Sequence, residues 1–400
     1  MLKKINNKQI NLYCSYAFVS SFIMSRGVFL LYLASVGLSV FQIAIYQSIY
    51  SVSTTILELP TGYIGDKIGK KKSVIIGTIL LAIHAYAMFL NRVIIIFWLL
   101  SFFEALAYSF ISGSDSALLY EILKHYKIEN NYIKINNTIL FGQSIITGLS
   151  LIIGSFLAEI SWAYVYIVTA IVFILASVLL IFVKEVNVLS DNTDNSGLYK
   201  ILEKNILYPI RSAFFLFIIF FSACDGLFMC FYNFNQIILP KYNMQTKFIG
   251  IFFATLYFIN SIAYLLVNKL IKTFNRKQIL IFSLLLECFL FFILSFSSNL
   301  IFVVIVSILI CFCPEIIFSI SDSIIQQYIA SEYRATFLSI VSLIRSMVSS
   351  IIYFIMGYLF DLLDFKVVFI VISLILFSSI TLGMLTWSLF YRKRILEESD

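Results

Sequence analysis

Seven acidic side chains lie inside long apolar stretches of the sequence, where an ionisable group has the least support from water. They are Glu58, Glu104, Asp115, Asp225, Glu287, Glu315 and Asp322. A charge at the centre of a membrane helix costs about 3 kcal/mol or more, so such residues usually face a protein interior and mark a pathway or a proton relay. The basic groups in the same stretches are Arg26, Arg345 and His84. The chemistry this set predicts is proton exchange on carboxyl groups whose counter-charges approach and withdraw.

The position of each charge along its apolar stretch predicts two pairs. At about 1.5 Å per helical residue, Arg26 and Glu104 reach similar depths on the first and fourth predicted helices, and Glu315 and Arg345 come within about one turn of each other on the tenth and eleventh. If helix motion brings Arg26 close to Glu104 in one conformation only, the carboxyl releases and takes up a proton in turn. The alternative is a purely structural ion pair.

The remaining intramembrane acids suggest other roles. Asp115 and Asp322 lie about two to three turns nearer one face of the membrane, where they could meet lysines or helix ends of the opposite half, and we predict that they act in gating. Their alternative is a carboxylate satisfied by backbone or by lysine. Asp225 precedes an aromatic run, Phe228 to Phe234, which predicts a site for a cation with apolar bulk. The same run is also explained as ordinary packing surface.

The composition requires a membrane for these helices to cross. The chain has 400 residues, of which 61% are hydrophobic and 12% charged, whereas roughly a quarter of the residues of soluble domains are charged. At about 20 residues per span, it has room for about a dozen helices in a lipid bilayer. The first apolar segment is long and carries Arg26, so we expect it to remain as a helix and not to be cleaved as a signal peptide.

Charged and Gly/Asn/Ser-rich breaks divide the chain into twelve predicted spans. They lie near 10–36, 42–65, 73–91, 94–122, 135–159, 162–183, 209–237, 247–271, 278–297, 300–328, 335–360 and 367–391. Alternate connections and ends carry 22 lysines and arginines on one side and 4 on the other. Both termini are therefore predicted to be cytoplasmic, in a multi-pass protein of the cell membrane. The net charge of +7 reflects this topology, so we expect no nucleic-acid partner.

Several kinds of chemistry have no motif in the sequence. All six cysteines lie in apolar stretches and are predicted to be small buried side chains, with no disulfide and no metal site. The sequence has no phosphate-binding Gly-x-x-x-x-Gly-Lys-Ser/Thr loop, no His-Glu-x-x-His motif and no nucleophile elbow. We therefore predict that the protein is not an enzyme and requires no cofactor, which leaves transport driven by an ion gradient.

One polar stretch, Gly62 to Lys72 with the sequence GYIGDKIGKKK, stands between the second and third predicted spans. Glycines allow close approach of backbones and sharp turns, so the stretch predicts a tight loop whose carboxylate can exchange partners between two arrangements of the helices. The predicted gating residues in it are Gly62, Gly65, Asp66, Lys67, Gly69, Lys70 and Lys71. The alternative is a positively charged topology anchor without a gating role.

The pattern Gly-x-x-x-Asp-Lys-x-Gly-Lys-Lys resembles the loop between the second and third helices of major facilitator superfamily transporters. The resemblance implies an all-α membrane protein with twelve transmembrane helices in two pseudo-symmetric six-helix halves and alternating access. It assigns residues 1–184 to the first half, 185–208 to a cytoplasmic linker and 209–400 to the second half. Short repeats agree with two halves, since Ser114-Asp115-Ser116 recurs as Ser321-Asp322-Ser323. In the resembled fold His84 and Glu287 fall toward the periphery, which implies structural or interface roles.

The resemblance and the intramembrane acids together predict a secondary transporter that works as a monomer and whose partners are protons and a small-molecule substrate. Proton-coupled export of amphipathic or cationic compounds is our first prediction. Proton-coupled uptake of a nutrient or metabolite is the alternative, because predicted helix 5 lacks the Gly-x-x-x-Gly-Pro motif that many exporters of the superfamily carry. A receptor or scaffold that does not transport is a third class.

Overall fold

The computed structural model describes residues 8–184, 213–327 and 334–399, and these residues form helices and short connections without any strand. The first group of helices comprises α1 (Lys8–Ser20), α2 (Phe29–Ser35), α3 (Val40–Ile68), α4 (Lys70–Leu90), α5 (Ile94–Ile111), α6 (Ser114–His125), α7 (Tyr132–Ile160) and α8 (Trp162–Ile181). A short 3-10 turn at Glu129–Asn131 leads into α7. The second group comprises α9 (Ala213–Lys241), α10 (Thr246–Thr273), α11 (Arg276–Leu294), α12 (Leu300–Gln327), α13 (Arg334–Leu362) and α14 (Phe365–Ser399).

Two predicted spans are each divided into two helices, so the prediction of one continuous helix is wrong at both. In the first span α1 ends at Ser20 and α2 begins at Phe29, with Arg26 in the turns between them. The hydroxyls of Ser20 and Ser21 both donate to the Ala17 carbonyl, 3.1 and 2.8 Å away, and such local bonds compete with the helical ladder. In the fourth span Gly113 has φ +71, a conformation that side chains with a Cβ rarely adopt.

The fourteen helices of the described residues therefore fit twelve predicted spans. In the described part of the chain, nine helical segments are long and apolar enough to cross a membrane. The predicted first, second and eighth spans are not among the nine. The first is too short on either side of its break. The second, α3, contains the charged Glu58, Asp66 and Lys67 together with Pro60. The protein is an all-α, multi-pass membrane protein, and the twelve-span count is consistent with its helices.

The described residues form two compact units. The first contains residues 8–184 and 243–257, and the second contains residues 213–242 and the described part of 258–399. The first unit includes 243–257, which the sequence analysis assigns to the second half. In this segment Gly250 lies directly against the Leu151 carbonyl of α7, and the Ser155 hydroxyl donates to the Lys247 carbonyl at 2.9 Å. The predicted linker at 185–208 lies outside the described residues.

The core of the first unit joins helices that are far apart in sequence. Tyr13 and Tyr16 of α1, Leu119 of α6, Ile139 of α7 and Leu180 of α8 are all buried in one apolar cluster. This cluster fixes α6 against α1, and that contact positions one of the predicted gating acids.

Candidate functional site

In the first unit, Glu104 lies where α3, α4 and α5 meet. The Tyr46 hydroxyl of α3 donates to Glu104 Oε2 at 2.6 Å, and the same hydroxyl lies 3.1 Å from His84 Nε2 of α4. His84 Nε2 is itself 3.8 Å from Glu104 Oε2. Tyr46 and His84 are 1% and 6% exposed, whereas the Glu104 side chain retains 21% of its surface. A carboxyl group is thus held by two buried polar groups and keeps one accessible side.

Hydroxyl-to-carbonyl bonds bring α3 and α5 close enough for this contact. Ser101, one turn before Glu104, donates to the Tyr46 carbonyl at 2.6 Å. Further along the same pair of helices, Thr61 donates to the Ser109 carbonyl at 3.0 Å. Small side chains whose hydroxyls bond the neighbouring backbone allow membrane helices to approach closely. Helix α5 therefore supplies both Glu104 and a serine hydroxyl that holds α3 close enough for Tyr46 to reach Glu104.

Arg26 lies in the same region as Glu104. Arg26 is exposed in the turns between α1 and α2, and its charge acts on the hydroxyls of Tyr50 and Tyr108. The charge of Glu104 acts on the same two hydroxyls, whose rings contact each other edge to face. The structure therefore brings the two predicted residues to one pair of tyrosines, and a direct Arg26–Glu104 exchange stays a prediction.

The Gly62 to Lys72 stretch forms a much shorter loop than the sequence analysis predicts. Helix α3 continues through Ile68 and α4 begins at Lys70, so Gly69, with φ +100, is the whole connection. A single residue in this left-handed region reverses the chain direction, and glycine adopts it without strain. The sharp turn is confirmed at Gly69, but the rest of the stretch is helical because its residues can all continue a helix.

The two glycines before the turn differ. A Cβ at Gly65 would meet the hydroxyl oxygens of Ser73 and Ser114 at 3.0 Å, so close approach is confirmed there. A Cβ at Gly62 would meet nothing within 4 Å, so the prediction that Gly62 lies against a neighbouring helix is wrong. The contacts of Gly65 are all with residues of the first unit.

The charged groups of this stretch have separate partners. Asp66 forms an ion pair with Lys70, four residues further along the chain. Lys71 donates to the Ile181 carbonyl at the end of α8, 2.9 Å away, and the Lys67 ammonium lies 4.4 Å from the centre of the Tyr63 ring. Asp66 is 66% exposed, so its carboxylate remains accessible to another partner.

Asp115 has a different partner from the ones predicted. The Tyr13 hydroxyl of α1 donates to Asp115 Oδ1 at 2.8 Å, and the Tyr16 side chain also hydrogen-bonds Asp115. The observed partners are thus tyrosines of α1, which the sequence analysis did not name, and a contact of Asp115 with the opposite half stays a prediction. The cause of the tyrosine contacts is the break at Gly113, which redirects α6 so that its first turn meets α1. Asp322 lies in α12, and its side chain lies outside the described part of the structure.

In the second unit, Asp225 of α9 faces Arg345 of α13. Asp225 Oδ2 lies 3.7 Å from Arg345 Nε, and the guanidinium carbon lies 4.5 Å from the centre of the Phe318 ring. Gly226 makes this approach possible, because a Cβ there would meet the Ser349 backbone at 3.1 Å, one turn from Arg345. The predicted Glu315–Arg345 pair stays a prediction, and the structure adds Asp225 as a partner that the sequence analysis did not assign.

The phenylalanines of the aromatic run that follows Asp225 are buried. Phe228, Phe231 and Phe234 are 6%, 0% and 1% exposed. The Phe231 ring contacts Phe291 of α11 at 4.8 Å between centroids. These rings fill the space between helices, as ordinary packing surface would, and a cation site beside Asp225 stays a prediction.

Comparisons with known proteins show the family to which this architecture belongs. The model of the family described as "Major Facilitator Superfamily" matches residues 12–245 and 216–398. The chain belongs to this superfamily. No curated protein matches the sequence.

Solved structures of superfamily transporters share the fold. Nucleoside transporter NupG superposes with a TM-score of 0.80 at 14% identity, covering 96% of this chain and 99% of that one. A D-xylose-proton symporter gives 0.65 at 13% identity, covering 92% and 95%, and peptide transporter POT gives 0.70 at 12%, covering 96% and 94%. At these identities the likeness shows the fold alone. The protein is a membrane transporter of the superfamily and not an enzyme.

The sequence analysis missed two residues of this transporter's polar interior. It assigned His84 to a peripheral role, whereas His84 contacts the Tyr46–Glu104 pair. It assigned Glu287 in the same way, whereas Glu287 is 1% exposed and lies within electrostatic reach of Asp225. Their location inside apolar stretches was the available signal. Within the described residues no group of three or more His, Cys, Asp or Glu side chains is placed to hold a metal ion.

Proposed function

We propose that this superfamily member is a proton-coupled secondary transporter that exports small amphipathic or cationic compounds across the cell membrane. The observation that carries the proposal is the contact of Glu104 with Tyr46 and His84. With the Nε2 proton on His84, the imidazole donates to the Tyr46 oxygen and the Tyr46 hydroxyl donates to Glu104 Oε2, which supports the carboxylate form. Loss of these donors on helix motion would favour the protonated carboxyl instead.

Arg26 and the second unit complete the proposed pathway. Arg26 supplies a positive charge close to the tyrosines that Glu104 also reaches, so its approach and withdrawal would change the proton affinity of Glu104. Asp225, Glu315 and Arg345 supply intramembrane charges in the second unit, where the functional reading of such charges is a substrate or ion pathway. Asp66, Lys67, Lys70, Lys71 and the glycines near them are proposed to gate the exchange between conformations, together with Asp115 and Asp322.

Flux measurements in proteoliposomes test the proposal. We expect an imposed pH gradient to drive accumulation of ethidium or tetraphenylphosphonium, two lipophilic cations. Glu104→Gln is expected to reduce gradient-driven accumulation at least about tenfold and to retain downhill exchange, since the amide cannot exchange a proton. Asp364→Asn is the matched control, because Asp364 is an exposed acid between α13 and α14. Accumulation that persists in Glu104→Gln, or that fails equally in both variants, would contradict the coupling role.

Uptake is the second candidate, and the uninterrupted α7 favours it. Helix α7 runs from Tyr132 to Ile160 without a proline, so it lacks the kink that the exporter motif introduces. Radiolabelled uridine, xylose and a dipeptide, tested under the same gradient, distinguish uptake from export. Flux of none of these probes under any gradient would favour the receptor or scaffold class.

The orientation in the membrane is also a proposal. The distribution of basic residues supports cytoplasmic termini and a cytoplasmic 185–208 segment. Tags at the two ends and in that segment should be inaccessible from outside intact cells. Labelling of any one of them from outside would show that the predicted topology is wrong.

A further inference from the structure

Two of the buried polar atoms in the second unit that have no hydrogen-bond partner among the described residues lie on adjacent helices. One is Oε1 of Glu287 in α11 and the other is Oγ of Ser307 in α12. Glu287 is 1% exposed and Ser307 is fully buried. Helices α11 and α12 pack against each other, and both residues lie seven positions from the helix ends that the 295–299 connection joins. The two orphaned groups therefore occupy a similar depth on adjacent helices, about 10 Å from those ends.

The groups around Glu287 are mostly thiols. Its charge acts on Cys224 of α9 and on Cys311 and Cys313 of α12. The neighbouring Cys288 is directed elsewhere, because its thiol bonds the Ser373 carbonyl of α14 at 3.2 Å. A thiol is only a weak hydrogen-bond donor, so these neighbours offer little stabilisation to a carboxylate. Three of the six cysteines thus form part of the surroundings of one acid.

The other charges in reach do not neutralise Glu287. Asp225 of α9 acts on Glu287 electrostatically, and as an anion it opposes a second negative charge. Asp225 is itself paired with the cation Arg345, 3.7 Å away, whose guanidinium also lies against the Phe318 ring. Glu315 of α12 acts on Cys311 and adds a further acid to the region. A buried carboxyl without a counter-charge or donors is far more stable as the neutral acid.

We infer that Glu287 is a second proton-binding residue of this transporter, which holds its proton while Arg345 is engaged by Asp225 and releases it when that pair opens. On release the O–H bond of the carboxyl breaks, the proton passes to water that reaches the opened site, and the guanidinium of Arg345 balances the new carboxylate. The link to transport rests on the proposed function, whereas the protonation and its dependence on the Asp225–Arg345 pair do not.

Infrared spectroscopy of the purified full-length protein in lipid tests protonation directly. A protonated carboxyl has a carbonyl-stretch band that a carboxylate lacks. We expect such a band at neutral pH in the parent protein and its loss in Glu287→Gln, with unchanged folded yield because the amide has the size of the neutral acid. Glu315→Gln is the matched control, and it should retain the band. A spectrum that Glu287→Gln leaves unaltered would overturn the inference, as would a collapse of folded yield in Glu287→Gln.

The variant Asp225→Asn tests whether the Asp225–Arg345 pair determines the protonation of Glu287. This variant leaves the Arg345 guanidinium without its Asp225 partner, so Glu287 should ionise, and the midpoint of its band should move by at least one pH unit, a tenfold change in proton affinity. The double variant Asp225→Asn with Arg345→Gln removes the cation as well and should restore the band. A band that does not respond to Asp225→Asn, measured on the folded fraction, contradicts control by the pair.

Sodium distinguishes a proton site from a cation site. We expect sodium chloride and potassium chloride to have the same effect on the band and on thermal stability. If sodium specifically abolishes the band and stabilises the parent protein but not Glu287→Gln, the site binds a cation and the inference is wrong. These measurements need no transport substrate, so absence of proton-coupled flux with an intact Glu287 band would refute the proposed function alone.

Discussion

The two units of this transporter support their intramembrane acids in different ways. In the first unit Glu104 contacts a tyrosine hydroxyl and a histidine, both of which supply or accept protons. In the second unit Asp225 contacts a guanidinium and Glu287 has thiols around it. A hydrogen-bonded acid changes protonation by rearranging donors, whereas an ion-paired acid changes only when the pair separates. The difference teaches that a similar count of buried charges in two halves does not imply the same chemistry in each.

Breaking the ion pair should have the largest effect on stability. Arg345→Ala leaves the Asp225 carboxylate, whose side chain is only 8% exposed, buried without this cation. We expect a loss of about 3–5 kcal/mol in the free energy of unfolding, the usual result of removing one partner of a buried pair. Denaturant unfolding in micelles measures it. If the double variant Asp225→Asn with Arg345→Gln recovers most of the lost stability, the unpaired charge is the cause. A loss below about 1 kcal/mol in Arg345→Ala would show that Asp225 is already well solvated.

Removing the tyrosine hydroxyl that donates to Glu104 should have a smaller effect on stability. Tyr46→Phe deletes the hydroxyl that bonds Glu104 at 2.6 Å and contacts His84. We expect about 1–3 kcal/mol of destabilisation, the typical result for a hydrogen bond to a charged group, together with a changed pH profile of flux. Tyr86→Phe, at an exposed tyrosine of α4, is the control for loss of a hydroxyl. Equal behaviour of the two variants would remove Tyr46 from the coupling site.

The pH dependence of transport in an Arg26 variant tests how the first unit controls the protonation of Glu104. Arg26→Ala removes a positive charge from the region of Glu104, so the carboxyl should hold its proton more tightly and the pH dependence of transport should move to higher pH. The profile is measured as initial flux against external pH at matched protein density. Lower folded yield with an unaltered profile would indicate a structural ion pair instead.

The smallest stability effect is expected at the gating stretch. Asp66→Asn breaks an exposed ion pair with Lys70, and such surface pairs contribute about 0–1 kcal/mol. Transport should nevertheless slow severalfold or more if Asp66 exchanges partners between conformations. The comparison is flux per folded molecule, with Asp364→Asn as the control. Unchanged flux would leave this stretch as a topology anchor only.

Hydropathy, charge distribution and one motif are enough to predict the class of this protein. Apolar length and the positions of lysine and arginine are local properties, and they indicate a polytopic transporter of this superfamily before any contact is known. The turn at Gly69 was predictable for the same reason, because it depends on one residue type. The breaks at Ser20–Phe29 and Gly113 were not predicted, since short polar interruptions within an apolar segment are compatible with a continuous helix.

Only the tertiary structure decided which acid meets which partner. Tyr46, His84 and Glu104 are on three different helices, and their contact depends on the rotation and spacing of those helices, which periodicity leaves open. The same holds for Asp115, which meets Tyr13 because α6 is redirected at Gly113, and for Asp225, which meets Arg345 because Gly226 admits α13. Sequence alone determined that charges would be buried in the membrane, because their positions in apolar segments require it. Packing determined how each charge is stabilised, because a partner is chosen by distance in space and not by distance along the chain.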